Sequence, residues 1–548
     1  HLLRMNLFDE QLKALKGVVE TDDSENISVW KVLVLDDETL KHISYFKVGD
    51  LRNLNVIMHL HVMEEKSELA GVKAIYFISP SAESISAFLS DITSGVFEEV
   101  WLNFHQPIER DRLNTLCQSL MQNGRASCVK NIRQFYFPYY PLHDSCFTFK
   151  TTQEEKIFSS LLSICLGLRC KPIFILSENE VGLRTLCQKV IDSLSENSLF
   201  FYPNNMEENQ LLIYVYTSPA DILPNIVHSL GYAQIISDYY SFWGSNKPIS
   251  TKPKEEMHQI DLRNDRFFEK HFFSELPAAA LALSNELTLY KDKFSSLEAD
   301  PQANPETFAD HLSEKLDKLP EMTEFRKRNK VHTAFCSELM KHVTESSKDR
   351  LVEIAQQAFR NRSLSKDALA EATSLFQNKT VSVEDKLRLF IVTSFCNVCS
   401  PKELQQWTEF ISSTSALSQT QKLFLQKAVE KRASTSSSYL SSITDSGKRL
   451  LQTRLGKGYG SNSARTLLDL FRKHELSEDL ALLPSQSVTT PLSSITKVIC
   501  VNLAGGSFIE LADLLDVGRQ IGKQIFLGIS NVYSSSEALQ RFINISLN

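Results

Sequence analysis

The chain contains no apolar run of about 18 residues, so it offers no candidate membrane-spanning helix. Glycine is scarce, 18 in 548 residues, and none falls in a G-x-x-x-x-G-K-[ST] pattern, which excludes a phosphate cradle of that kind. There is no G-x-S-x-G elbow, no H-E-x-x-H and no signature pairing of cysteine with histidine. The net charge is −7 and is spread along the chain; nucleic-acid binding, which needs a dominant basic surface, is not expected. Ten cysteines are scattered, and only Cys396 and Cys399 form a C-x-x-C. A zinc site needs two further ligands at similar spacing. No metal or other cofactor is therefore expected, and the pair reads as buried structure in the helical run "LFIVTSFCNVC". The stretch "HLLRMNLFDEQLKALKGVVE" is amphipathic and carries acids; it lacks the apolar region and cleavage site of a signal peptide. The cysteine usage fits a reducing, cytosolic compartment.

What is present is a succession of α/β patterns. Strands read at "VWKVLVLDD", "VIMHLHVM", "AIYFIS" and "VWLNF", with a fifth in "ASCVKNIRQFYF". Between them lie helical spacings such as Ile85, Phe88, Leu89 and Ile92. Continuous apolar strands alternating with helices predict a mostly parallel sheet covered on both faces. A second such unit follows, with strands at "KPIFILS" and "QLLIYVYTS". From about residue 265 to 483 nearly every segment is helical. Two more strands then appear, in "ITKVICVNLAGGSFIELADLL" and "KQIFLGIS". Two strands cannot make a stable sheet alone, so they are expected to rejoin the second unit around a helical insertion. The fold class is α/β plus all-α: domain 1 at 1–145, a discontinuous domain 2 at 146–264 and 484–548, and a helical domain 3 at 265–483. The Ser/Thr-rich stretch at about 431–466 reads as a long loop, with Tyr439, Leu440, Ile443, Leu450, Leu451 and Leu455 on one stripe at helical spacing.

The positions where an α/β enzyme carries its chemistry are empty. The turn after the strand in "KAIYFISPSAES" has no glycine, lysine or histidine. Asp36-Asp37, at the end of the first strand, lacks phosphate-binding partners and reads as a solvated turn. "LAGGSF" follows a strand and precedes a helix but reads as a tight turn, and His59 and His61 as ordinary sheet residues. Such a chain is expected to be a scaffold for other macromolecules and not an enzyme.

The segments "VWKVLVLDD", "AIYFISPSAESISAFLSDI", "WLNF", "DRFFEKHFFSELPAAA", "LPEMTEFRKRNKVHT", "EDKLRLFIVTSF" and "ICVNLAGGSFIE" together resemble the SM family, the Sec-one/Munc-eighteen-like regulators that bind syntaxin-type SNARE proteins in vesicle fusion. They occur in family order over nearly the whole chain. The form of "DRFFEKHFFSELPAAA" is similar to the ER–Golgi branch; a vacuolar or plasma-membrane member is the alternative. One departure is that Thr217 and Ser218 stand where the family has an Asp-Arg pair. This puts the local salt bridges in doubt, although Asp221, His228, Tyr232 and Asp238 can be placed.

The resemblance implies an arch-shaped fold, a monomer without cofactor, and two sites for SNAREs. A syntaxin N-peptide pocket is carried onto Leu113, Leu116, Cys117, Val129 and Ile132; the alternative is ordinary helix–sheet core. Leu116→Lys is expected to abolish peptide binding and spare folding. Pro320 is expected to interrupt the helical stripe, since a proline inside a helix bends or breaks it. A helical hairpin at about 277–345 with that proline at its bend, able to extend, would receive a vesicle SNARE along Phe308, Leu312, Leu316, Leu319 and Phe325, by helix-in-groove recognition; the alternative is the domain's own core. The basic run Arg326, Lys327, Arg328 and Lys330 reads as a solvated face or as a guide for acidic SNARE helices. The Tyr439–Leu455 stripe resembles a lipid-packing sensor, giving weak peripheral membrane contact, or is a linker. The implied role is to template the four-helix SNARE bundle, with tethering factors as further partners, in the cytoplasm on ER, Golgi or vesicle membranes. The competing class is a nucleotide-using α/β enzyme.

Overall fold

The computed structural model describes residues 6–21, 30–43, 46, 48–67, 71–135, 139–168, 170–196, 210–240, 249–250, 257–258, 260, 262–295, 305–413, 417–434, 460–474, 476, 479–484 and 492–547. Its first sheet has strands β1 (Lys31–Leu35), β2 (Val56–His61), β3 (Lys73–Ile78), β4 (Val100–Phe104) and β5 (Val129–Gln134), in the order β2-β1-β3-β4-β5 with every neighbouring pair parallel. Alternate residues serve opposite faces. Val32, Val34, Tyr76, Ile78 and Leu102 pack with Phe88 and Ile92 of the helix Ala82–Ser94 and with Leu116 and Leu120 of the helix Arg110–Gln122. Leu33, Leu35, Ile75, Phe77 and Trp101 pack with Leu15 and Val18 of the helix Leu7–Val19. Burial on both faces is why these strands are continuous apolar runs.

The second sheet is built from distant segments. Its strands are β6 (Tyr140–His143), β7 (Cys146–Thr148), β8 (Lys171–Ser177) and β9 (Gln210–Tyr216). A separate short pair, β10 (Ile249–Ser250) and β11 (Met257–His258), intervenes. Beyond the helical stretch come β12 (Leu480–Leu483), β13 (Lys497–Asn502) and β14 (Gln524–Ile529). The order is β12-β8-β9-β13-β14-β7-β6. β13 lies parallel between β9 and β14, so the late strands do rejoin the second unit. The outermost pairs, β12 with β8 and β6 with β7, are antiparallel. β6 and β12 fall outside the residues assigned to this sheet from the sequence. Both are edge strands of four residues, too short to register as a period-2 pattern.

The insertion is helical throughout its described core. Serines open three of its helices: Ser365, Ser382 and Ser400 accept from the N–H of Ala368, Asp385 and Glu403, and Ser400 with Glu403 forms a capping box. Cys396 and Cys399, each 5% exposed, lie in this core in one cluster with Phe390 and Trp407; neither forms a disulfide, and Arg362 donates to the Cys396 sulfur. They are structural, as read from the sequence.

The carboxyl ends of both sheets are closed from within. In an open parallel sheet a ligand sits where neighbouring strands run out to opposite sides, which here is the gap between β1 and β3. Asp36, at the end of β1, fills it. Its carboxylate accepts from the N–H of Thr39 (2.9 Å), the N–H of Ser79 (2.6 Å), the Ser84 hydroxyl (2.8 Å) and the Ser79 hydroxyl. Asp36 is therefore buried, contrary to the solvated turn read from the sequence; only Asp37 is exposed. The serines that make "ISPSAES" look chemically empty are the donors this carboxylate requires. In the second sheet Glu510, 1% exposed, accepts from Tyr216 (2.7 Å), Ser463 (2.6 Å) and Asn502 (2.9 Å). Burial pushes its carboxyl up. "LAGGSF" is a tight turn: Gly505 has φ +100 and a Cβ there would strike the Tyr533 ring. The Phe508 N–H is taken by Gln234 (2.9 Å) and the Glu510 N–H by Ser507. Among the described residues no group of three metal-ligating side chains occurs.

Burial alone would raise the Asp36 carboxyl; the hydrogen bonds from Ser79, Thr39 and Ser84 outweigh it and hold the group at about 2. The folded value lies below that of an unfolded aspartate, so the stabilisation is present above pH ~4 and is lost as pH falls through 2, about 2–3 kcal/mol in all. Asp36→Ala, which strands four buried donors, is expected to cost about 3 kcal/mol in urea denaturation at pH 7 and to flatten this acid limb. An unchanged acid limb would show that Asp36 is not the group responsible.

Candidate polypeptide-binding surfaces

The five pocket residues come from the helix Arg110–Gln122 and the edge strand β5. Strict alternation would put Val129 and Ile132, three apart, on opposite faces of β5. The register shifts at Val100/Trp101, pairing Val100 with Val129 and Leu102 with Ile132. This one-residue bulge brings both side chains to the face shared by Val100 and Leu102. Leu113, Val129 and Ile132 are half-buried and pack against the same cluster as Leu116. They line the seam between helix and edge strand, and they are the flank of the groove expected there. Leu116, 1% exposed, is its floor and belongs to the core. The expectation that Leu116→Lys spares folding is thus corrected: a charge there enters the helix–sheet core. Cys117 is partly exposed with a free thiol. On the outer side of the helix, Met121 is 74% exposed.

The hairpin is formed by the helices Leu276–Ser295 and Pro305–Glu345. Its base is zipped by Leu276, Ala279 and Leu283 with Val331, Phe335 and Leu339. Further out, Arg328 meets Glu286 at 3.3 Å and Tyr290 stacks on Phe325 with ring centroids 3.9 Å apart. Phe325, read as part of a SNARE-binding stripe, is thus engaged in the hairpin's own seam. The helix runs continuously through Pro320, so the predicted interruption does not occur. A proline inside a helix forfeits one hydrogen bond, and the turns on either side of it carry the helix on. The side chains of Phe308, Leu312, Leu316, Leu319 and Pro320 lie outside the described residues, as does the whole stripe Tyr439, Leu440, Ile443, Leu450, Leu451 and Leu455. Exposed leucines missed by the sequence reading, Leu281 (64%) and Leu289 (68%), lie on the first hairpin helix. Their exposure depends on tertiary packing and has no mark in local spacing.

A buried polar joint ties the insertion to the second sheet. His228 Nε2 lies 3.1 Å from Asp385 Oδ1, and Arg388 donates to the Ile226 carbonyl (2.9 Å) and reaches Asp238 at 3.4 Å. Burial pushes the Asp385 carboxyl up, but His228, Lys348 and Arg388 together hold it well below the usual carboxylate range. Where the family pair is missing, Ser218 and Asp221 cap each other: the Ser218 N–H donates to Asp221 (2.9 Å) and the Ser218 hydroxyl accepts from Ala220. Thr217-Ser218 thus ends β9 in a neutral cap that holds Asp221 without an Arg partner among the described residues.

A Sec1-family profile matches residues 31–541. The chain belongs to the Sec1 family. It is accordingly a regulator of SNARE assembly and not an enzyme. It is 22% identical to the mouse "Sec1 family domain-containing protein 1" over 97% of each chain, and 25% identical to budding-yeast "Protein SLY1" over 74% of this chain and 68% of that one. Its fold is similar to that of Sly1p in complex with an N-terminal peptide of Sed5p, with a TM-score of 0.77, 18% identity and 99% of each chain covered. It also matches the SM protein Vps45 in complex with the Qa SNARE Tlg2, with a TM-score of 0.79 and 14% identity, covering 99% of this chain and 98% of that one. These likenesses establish the arch-shaped SM fold.

The groove's floor and flank should separate in stability. Leu116→Ala is expected to cost about 2–4 kcal/mol and Leu113→Ala under about 1.5 kcal/mol in urea denaturation. Equal costs would mean that both residues are core.

Proposed function

We propose that the protein binds the N-terminal peptide of a syntaxin-type SNARE in the groove of Leu113, Cys117, Val129 and Ile132 over Leu116. We further propose that it holds SNARE helices on the hairpin at about 277–345, templating the four-helix bundle in ER–Golgi transport. The reading is supported above all by the bulge in β5, which turns two side chains of an edge strand towards one helix and leaves them half-buried. An apolar anchor seated there is the common arrangement of an energetic hot spot. The similar structures, Sly1p with an N-terminal peptide of Sed5p and Vps45 with the Qa SNARE Tlg2, speak for a syntaxin-type partner. The SLY1 relatives speak for ER–Golgi transport.

SNARE motifs are disordered alone, and ordering them costs several kcal/mol before the bundle forms. A scaffold that holds two of them in register offsets part of that cost, raises the assembly rate and disfavours wrong partners. No covalent step is involved. No helix among the described residues is long and apolar enough to cross a membrane; a peripheral place on ER, Golgi or vesicle membranes, reached through SNARE partners, belongs to the same proposal.

Ile132→Asp is expected to weaken binding of a syntaxin N-peptide at least about tenfold, the loss of an apolar anchor being worth about 2 kcal/mol or more, with the melting temperature little changed. Calorimetric titration checks this, and retained affinity would remove the groove from the account. The unmodified protein is expected to accelerate zippering of its cognate SNAREs with no nucleotide present. An assembly assay with an unchanged rate for every SNARE set would reject templating.

A further inference from the structure

Just before the helix Arg266–His271 the chain makes a turn at residues 262–264. Arg263 reaches back to the first α/β unit. Its Nη1 lies 2.9 Å from Asp50 Oδ2 in the helix Val48–Asn53, and its guanidinium sits 5.2 Å from the centre of the Phe46 ring. Two residues on, Asp265 holds the hairpin. Its Oδ1 caps the helix Arg266–His271, accepting from the N–H groups of Phe267 (3.1 Å) and Phe268 (3.0 Å). Its Oδ2 lies 2.8 Å from Nε2 of His332, a fully buried residue of the long hairpin helix. The Nδ1 of His332 is 2.8 Å from the Tyr232 hydroxyl. A carboxylate only accepts, so Nε2 of His332 donates to Asp265.

Among the described residues, the other fastenings of the first unit gather along the helix Leu7–Val19, Glu38 and His42, and meet β6, β7 and the helix Glu154–Leu168 of the second. Leu7 donates to the Asp144 carbonyl, Gln11 to the Tyr139 carbonyl, and Tyr140 donates to Glu38 and stacks on His42. A body fastened at one place can swing; a second, separate fastening fixes its angle. Arg263 supplies that second place, and it is joined through two peptide units to the carboxylate that grips the hairpin.

We propose that Arg263–Asp265 is a strap that sets the distance between the groove on the first unit and the helical hairpin. Arg263, Asp265 and His332 are thereby positioning residues for SNARE assembly. This rests on the function proposed above. It goes beyond that function in assigning the spacing of the two surfaces to a few side chains that touch neither partner.

The test is a distance measurement on the full chain. Spin labels at Met121→Cys and Leu281→Cys, both exposed, are placed in a Cys117→Ser background, the other nine cysteines being buried. One narrow distribution is expected with the strap intact. Arg263→Ala should broaden it, and the charge swap Asp50→Arg with Arg263→Asp should narrow it again. Asp265→Asn should keep the narrow distribution, because the amide oxygen still caps the helix and its N–H meets the other tautomer of His332; Asp265→Ala should not. In unlabelled protein Arg263→Ala should lower the acceleration of SNARE zippering about five- to tenfold and leave N-peptide affinity unchanged. Identical distributions for Arg263→Ala, Asp265→Ala and the intact strap would overturn the proposal, as would full acceleration by Arg263→Ala. Failure of the intact protein to speed zippering would instead overturn the function on which the strap's role rests.

Discussion

The structure depends on two carboxylates buried at the carboxyl ends of its sheets. Asp36 and Glu510 lie where an α/β enzyme would hold a phosphate or a substrate, and each is enclosed by donors from its own chain. A buried carboxylate is tolerable only when its oxygens are hydrogen-bonded. Serines and an asparagine therefore occupy positions where glycine, lysine or histidine would do chemistry. The ends of the sheets become points of rigidity, and the binding proposed here falls to the outer faces.

That rigidity matters for a protein proposed to hold others in register. The second sheet cannot close without strands from both sides of the insertion, so the helical region is tied to it covalently at both ends. The joint of His228, Asp385, Arg388 and Asp238 adds a polar lock whose members are each costly to leave unpaired. A template that flexed on its own would spend part of its binding free energy on ordering itself, and less would remain to offset the ordering of its guests.

Much of the fold was legible because burial on two faces writes itself into a strand as an unbroken apolar run. The core strands of both sheets could be read in this way, as could the return of the second unit after the insertion. What escaped was short or non-local. β6 and β12 have too few residues for a period to emerge. Asp36 looked solvated because two of its donor residues, Ser79 and Ser84, are more than forty positions away. The groove residues followed from the family resemblance, and the residues alone could not have placed them. Strict alternation separates Val129 from Ile132, and only the bulge at Val100/Trp101 unites them. Nor could Leu116 be told from Leu113 by spacing, since floor and flank differ only in what packs above them. Pro320 was read as a break because its local effect is to remove one hydrogen bond, whereas the helix around it is long enough to carry that loss.

The claim at the centre is that guests bind on outer faces while the ends of the sheets remain closed. Hydrogen exchange of the protein with and without its SNARE partners tests it directly. Slowed exchange is expected in the helix Arg110–Gln122, in β5 and along the hairpin helices, with the amides of Ser79, Phe508 and Glu510 already protected and unchanged. Slowing confined to the turns after β1, β3 and β13, with none on the hairpin or at the edge strand, would contradict the account.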